Sequence, residues 1–108
     1  MSQYKDWKTK EQVETLLKEA VEGEPILTND IKDGDVFVQR NGWVGEMVDN
    51  MRGNTRIANI HGFCTEAGSI YVWDICQVAK GGKLREIQLT PKQVKDKERA
   101  EKVMGNIF

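Results

Sequence analysis

The sequence predicts an α+β domain in which five short antiparallel strands curl into a small barrel between two helices. Three observations predict it. Hydrophobic periodicity changes from about 3.6 residues to about 2 and back again along the chain. Glycine-bearing turns separate the central apolar runs. Capping-box signatures open both helical segments. With 108 residues, the chain is the size of one domain.

The first helix is expected over residues 9–22. Val13, Leu16, Leu17, Ala20 and Val21 share one face, Thr9 stands at the N-cap, and Gln12 is its capping-box partner. Gly23 is expected to stop the helix in the left-handed region, with Pro25 just beyond. Val13, Leu16 and Leu17 should dock the helix on the barrel, and Trp7 should pack back on the core. Residues 25–35 form a turn-rich linker in which Asp33 and Asp35 serve the turn.

The barrel is expected over residues 31–89. Residues 36–40 are β-branched and aromatic, and Asn41-Gly42 marks a hairpin of the type that needs positive φ at both central positions. The returning strand is 43–49, with Gly45 marking a bulge or bend. After a turn at 50–54 come a strand at 55–61, a loop at 62–69, a strand at 70–75, a Gly81-Gly82 turn and a last strand at 83–89. So few strands, so closely spaced, avoid bare edges best by curling on themselves.

The second helix is expected over 91–104, opened by Thr90-Pro91 with Gln93 as capping partner and ended by Gly105. Its apolar positions are sparse, so it should be largely exposed.

Composition excludes several classes. No apolar run approaches the ~20 residues that span a bilayer, and residues 1–10 lack the apolar core of a secretory signal. The expected location is therefore the cytoplasm. There Cys64 and Cys76 are expected to be buried free thiols. The net charge of −1 is unevenly spread. Residues 11–35 carry eight acids and two lysines, net −6, while residues 80–108 carry eight bases and four acids, net +4.

Catalytic chemistry finds little support. His61, the single histidine, has Cys64 three residues on, but Cys64 is flanked by Phe63 and Thr65, with no neighbouring base to activate the thiol. His61, Cys64 and Cys76 make only half of a zinc site, with Asp74 the nearest fourth ligand. No phosphate-binding loop or calcium loop is present. The expectation is a non-enzymatic protein without catalytic residues, metal, cofactor or small-molecule substrate.

Binding is the better reading. Trp43, Phe63, Tyr71 and Trp73 lie on or beside strands, where an aromatic face with arginines could stack bases or grip a peptide. Alternation, however, puts Trp43 with Met47, and Tyr71 with Trp73 and Ile75, on core-facing positions. Arg52 and Arg56 are then the exposed contacts across the 51–55 turn. They are joined by the basic second helix with Lys92, Lys95, Arg99 and Lys102.

Two family resemblances follow from particular residues. Gly34-Asp35-Val36 through Asn41-Gly42-Trp43-Val44-Gly45-Glu46-Met47-Val48 resembles the KOW-type SH3-like modules of transcription and translation factors, which bind RNA or protein. Arg40-Asn41-Gly42-Trp43, Asp49-Asn50, Gly53-Asn54-Thr55-Arg56, Gly62-Phe63, Thr65-Glu66, Gly68-Ser69, Tyr71 and Asp74-Ile75 resemble a pattern in small uncharacterised proteins of tailed bacteriophages. These resemblances imply an SH3-like barrel and a phage accessory protein that binds and modulates or inhibits a host protein in the host cytoplasm. A nucleic-acid-binding module and a small virion component are the alternatives.

Overall fold

Thr9 opens the first helix as expected: its hydroxyl accepts from Gln12 N at 3.2 Å, and Gln12 Oε1 accepts from Thr9 N at 2.8 Å. The computed structural model describes residues 7–50 and 53–107, with side chains described through 103. Helix α1 runs Lys10–Glu19, and helix α2 runs Pro91–Ile107. The strands are β1 (Val21–Glu22), β2 (Ile26–Leu27), β3 (Val36–Gln39), β4 (Val44–Asp49), β5 (Thr55–His61), β6 (Thr65–Tyr71), β7 (Ile75–Lys80) and β8 (Lys83–Gln88).

These eight strands form one open sheet in the order β1-β8-β7-β3-β4-β5-β6, with β2 also paired to β8. All pairings are antiparallel except those of β1 and β2, which run parallel to β8. The domain is thus α+β with two flanking helices, but it holds more strands than expected. Three differences account for this. Residues 65–69, read as loop, form most of β6 through seven consecutive pairs with β5. The expected strand at 70–75 is broken by a 3₁₀ turn at Val72–Asp74, after which β7 begins. The 21–27 stretch, read as helix end and linker, runs along β8.

That pairing also shortens α1. Ala20 already has ψ 137°, because Val21 N must reach Gly82 O at 3.1 Å. Gly23 is not a left-handed stop. It lets the chain approach β8 so closely that a Cβ there would lie 2.7 Å from Lys83 Cβ. At the other end, Gly105 does not terminate α2, which continues to Ile107. Thr90 and Gln93 do form the expected capping box, with Gln93 N donating to Thr90 Oγ1 at 3.2 Å and Thr90 N to Gln93 Oε1 at 2.9 Å.

Turn chemistry is mostly local. The β3–β4 turn has Gly42 N donating to Gln39 O at 2.9 Å and Gly42 at φ 90°, while among the described residues no non-glycine has positive φ. It is therefore a β-turn followed by a left-handed glycine, the three-residue pattern, and not the two-residue hairpin the Asn-Gly pair suggested. The β7–β8 turn is the two-residue kind, with Gly81 at φ 62° and Gly82 at 75°. Gly45 makes no bulge. It sits opposite Phe37, whose Cζ would lie 2.8 Å from a Cβ at that position. The irregularity in β4 comes later, between Met47 and Asp49.

One face of the sheet carries the core: Phe37, Met47, Ala58, Ile70, Ile75 and Val78, closed by Ile31, with Ile26, Ile60 and Ile87 packed against them. Helix α1 covers β3, β4 and β7. Its fully buried residue is Val13, worth ~1.5–3 kcal/mol by area. Leu17 is half-buried, whereas Leu16, expected to dock, is exposed. Trp7 is half-buried. Lys8 anchors the entry to α1: its N–H donates to Glu46 Oε1 at 2.7 Å and its ammonium to Gly34 O at 3.0 Å.

Candidate interaction surfaces

Helix α2 is polar almost all round, so its placement depends on a few contacts. It packs beside the 3₁₀ turn Val72–Asp74. Gln93 is buried, Asp96 accepts from Asn54 Nδ2 at 3.0 Å, and Glu101 lies 3.9 Å from Arg40. Arg40 in turn meets Asp74 at 3.3 Å and donates to Trp73 O at 3.1 Å. Gln93, Asp96, Lys97 and Ala100 are the less exposed positions of the helix through residue 103.

At about 100° per residue, Lys92, Lys95, Arg99 and Lys102 fall within roughly 80° of one another on the helix. Their spacing of 3, 4 and 3 residues puts them in one stripe. All four are exposed, and the stripe lies away from the docked positions. Lys92 keeps 81% of its side chain exposed although its ammonium donates to Asp96 at 2.9 Å. The Lys92 and Asn54 bonds hold the Asp96 carboxyl below its usual pKa. The structure therefore brings together the four helical residues expected from sequence.

It separates them from Arg56. That side chain is fully buried, not an exposed contact. Nη1 donates to Gly53 O at 3.1 Å and Thr55 O at 2.8 Å, Nη2 to Asn29 Oδ1 at 3.1 Å, and Nε to Asn50 Oδ1. Burial lowers its pKa from the ordinary arginine value. Arg56 lies opposite Ile70 on β6 at the edge of the core, so alternation along β5 carries it inward. Arg52 lies outside the described residues.

The aromatic residues also depart from expectation. Trp43 is 38% exposed, Tyr71 48% and Phe63 99%. Trp43 meets Phe63 edge-to-face, with ring centroids 5.5 Å apart. Its indole lies over Gly62, where a Cβ would come within 2.6 Å. Tyr71 stacks on Trp73 at 4.9 Å. These pairs sit at turns, where strand alternation no longer dictates which way a side chain points. Trp43 and Phe63, with Ile60, Gly62, Cys64, Glu66 and Gly68, line a shallow pocket of about 160 Å³.

His61 is buried, with Nδ1 2.8 Å from Thr65 Oγ1. Burial pushes its imidazole below the ordinary pKa, against the pull of Glu46. Cys64 and Cys76 are free thiols, as expected, but both are exposed instead of buried. Among the described residues, no group of three or more His, Cys, Asp or Glu could hold a metal ion. No described helix is long and apolar enough to cross a membrane.

Comparison with known proteins gave no matching family model, no matching curated protein and no matching solved structure.

Proposed function

We propose that this chain is a non-enzymatic binding module that engages an acidic surface on a partner protein through the basic stripe of α2. The observation that carries the reading is the alignment of Lys92, Lys95, Arg99 and Lys102 on the exposed side of a helix fixed from its other side. Such a stripe steers association with a partner of opposite charge. Arg56 is withdrawn from the surface. The stripe therefore stands without the neighbouring arginine that a longer track along a phosphate backbone would use, which favours a compact acidic patch on a protein.

The run β7-β3-β4-β5-β6, with a 3₁₀ turn between β6 and β7, supports an SH3-like arrangement of those five strands. On the phage origin that the sequence resemblance implies, the partner would be a host protein met in the host cytoplasm.

Affinity capture from a bacterial lysate tests the proposal. It would be run with and without nuclease, using the native chain and the Lys95→Glu/Arg99→Glu double variant. The expected result is one stoichiometric protein, resistant to nuclease, retained by the native chain and lost by the variant. Capture abolished by nuclease would overturn the reading in favour of nucleic acid. Equal capture by both chains would remove α2 from the interface.

A further inference from the structure

The sheet has two edges, and they are built differently. One is formed by β1 and β2, each two residues long and separated by Gly23-Glu24-Pro25. Short strands and proline are standard protection against pairing with another chain. The other edge is β6, seven residues long and paired to β5 without a register shift. Its sequence holds no proline and no lysine, and its one charge is Glu66. Among the described residues no strand pairs with its outer side. An edge strand of this length, unbroken by a bulge and nearly uncharged, offers a row of unmatched N–H and C=O groups. Beside it stands Phe63, the most exposed large apolar side chain among the described residues at 99%.

We infer that β6 pairs with β6 of a second copy, giving a two-fold symmetric dimer with one continuous sheet. Symmetry selects the register. An axis perpendicular to the sheet must keep each face on its own side, so it passes through a residue. Pairing all seven residues puts it at Gly68, the middle of Thr65–Tyr71. Thr65 then faces Tyr71 of the other copy, Glu66 faces Ile70, and Ala67 faces Ser69.

No like charges are opposed, because the two Glu66 positions lie about 13 Å apart along the strands, beyond the screening length of ordinary salt. Just past each end, the exposed Phe63 of one copy lies on the side of the other copy's strand end, where Tyr71 is half exposed. Such an interface is isologous and closes on itself. The protected β1–β2 edge stays outermost, so growth stops at two chains.

Sedimentation equilibrium of the full chain over a concentration series tests this inference. The expected result is a reversible shift from 12.3 kDa to twice that mass. Ala67→Lys, at an exposed position on β6, should hold the chain at monomer mass with unchanged circular dichroism. Phe63→Ser, in the β5–β6 turn, should weaken the dimer without touching the strand.

Amide exchange on the native chain supplies a readout that needs no variant: protection of residues 66–70 should rise with protein concentration. A monomer at every attainable concentration would overturn the inference, including when a foreign strand is found occupying the edge. A dimer left intact by both substitutions would place the interface elsewhere and overturn it equally.

Discussion

The buried Arg56 and the half-buried Asn50 form a pair that fastens three segments of the chain at one point. Arg56 Nε donates to Asn50 Oδ1, and Asn50 Nδ2 passes the connection on to Ile31 O at 2.7 Å and Thr28 O at 3.1 Å. The segment preceding β3 is thereby tied to the β4–β5 turn. Every acceptor that Arg56 finds in the described structure is a neutral oxygen, so its value is in hydrogen bonds and not in ion pairing.

Arg56→Met should therefore be a stability lesion. It removes the hydrogen bonds to Asn50, Asn29, Gly53 and Thr55, whose residues are half-buried or exposed, and the lost charged-donor bonds give an expected loss of about 1–3 kcal/mol. Urea unfolding measures it. Arg56→Lys should recover little, because an ammonium cannot reproduce the planar fork that spans these acceptors. A loss below about 0.5 kcal/mol would show that the network does not hold the turn.

Gly45→Ala should destabilise by about 1–3 kcal/mol through overpacking. The added methyl meets Phe37 Cζ at 2.8 Å and Asn59 O at 2.9 Å, and the second of these is backbone that cannot swing away. Combining it with Phe37→Leu should recover part of the loss, since the two positions are cross-strand partners. Purely additive losses would contradict the contact.

Stability should fall as pH drops from about 7.5 to about 5.5, the range in which histidine titrates ahead of carboxylates. Burial depresses the folded-state pKa of His61. In this window the unfolded chain therefore binds the extra proton, and folding is opposed. The slope is bounded by about 1.4 kcal/mol per pH unit for one group, and Glu46 reduces it. Thermal melts of the native chain and of His61→Gln check this: the variant should be flatter over the window. Equal slopes would assign the pH dependence to other groups.

Cys64 and Cys76 should both react with an aromatic disulfide reagent in the native state, without denaturant, because both are exposed. Protection of either thiol until unfolding would contradict its placement.

Local chemistry carried much of this architecture in the sequence. The capping boxes at Thr9 and Thr90 and the glycine pair at 81–82 are signals that neighbouring residues settle among themselves, and all three appear where expected. What stayed hidden depends on distant partners. Glu66-Ala67-Gly68-Ser69 has neither branched side chains nor alternation, and it is extended because β5 lies alongside it. Val21 and Glu22 extend the helical pattern in sequence but are drawn off to β8. The candidate stripe on α2 was legible because helical spacing alone aligns it. The burial of Arg56 was not, because its four acceptors are spread from Asn29 to Thr55. Exposure of the aromatic residues was equally hidden, since it is decided at turns.

The pairing of β1 and β2 with β8 sets an order of events for a nascent chain. Residues 21–27 leave the ribosome early but find their partner only when residues 83–88 emerge. Likewise β3 is complete on one side with β4 long before β7 arrives on the other. The β3–β6 meander can assemble during synthesis, whereas both outer additions wait until residues 75–88 have emerged. Non-local closure of this kind slows folding. It also leaves the β3 edge open during translation, the period in which a chaperone or a neighbouring nascent chain competes for it.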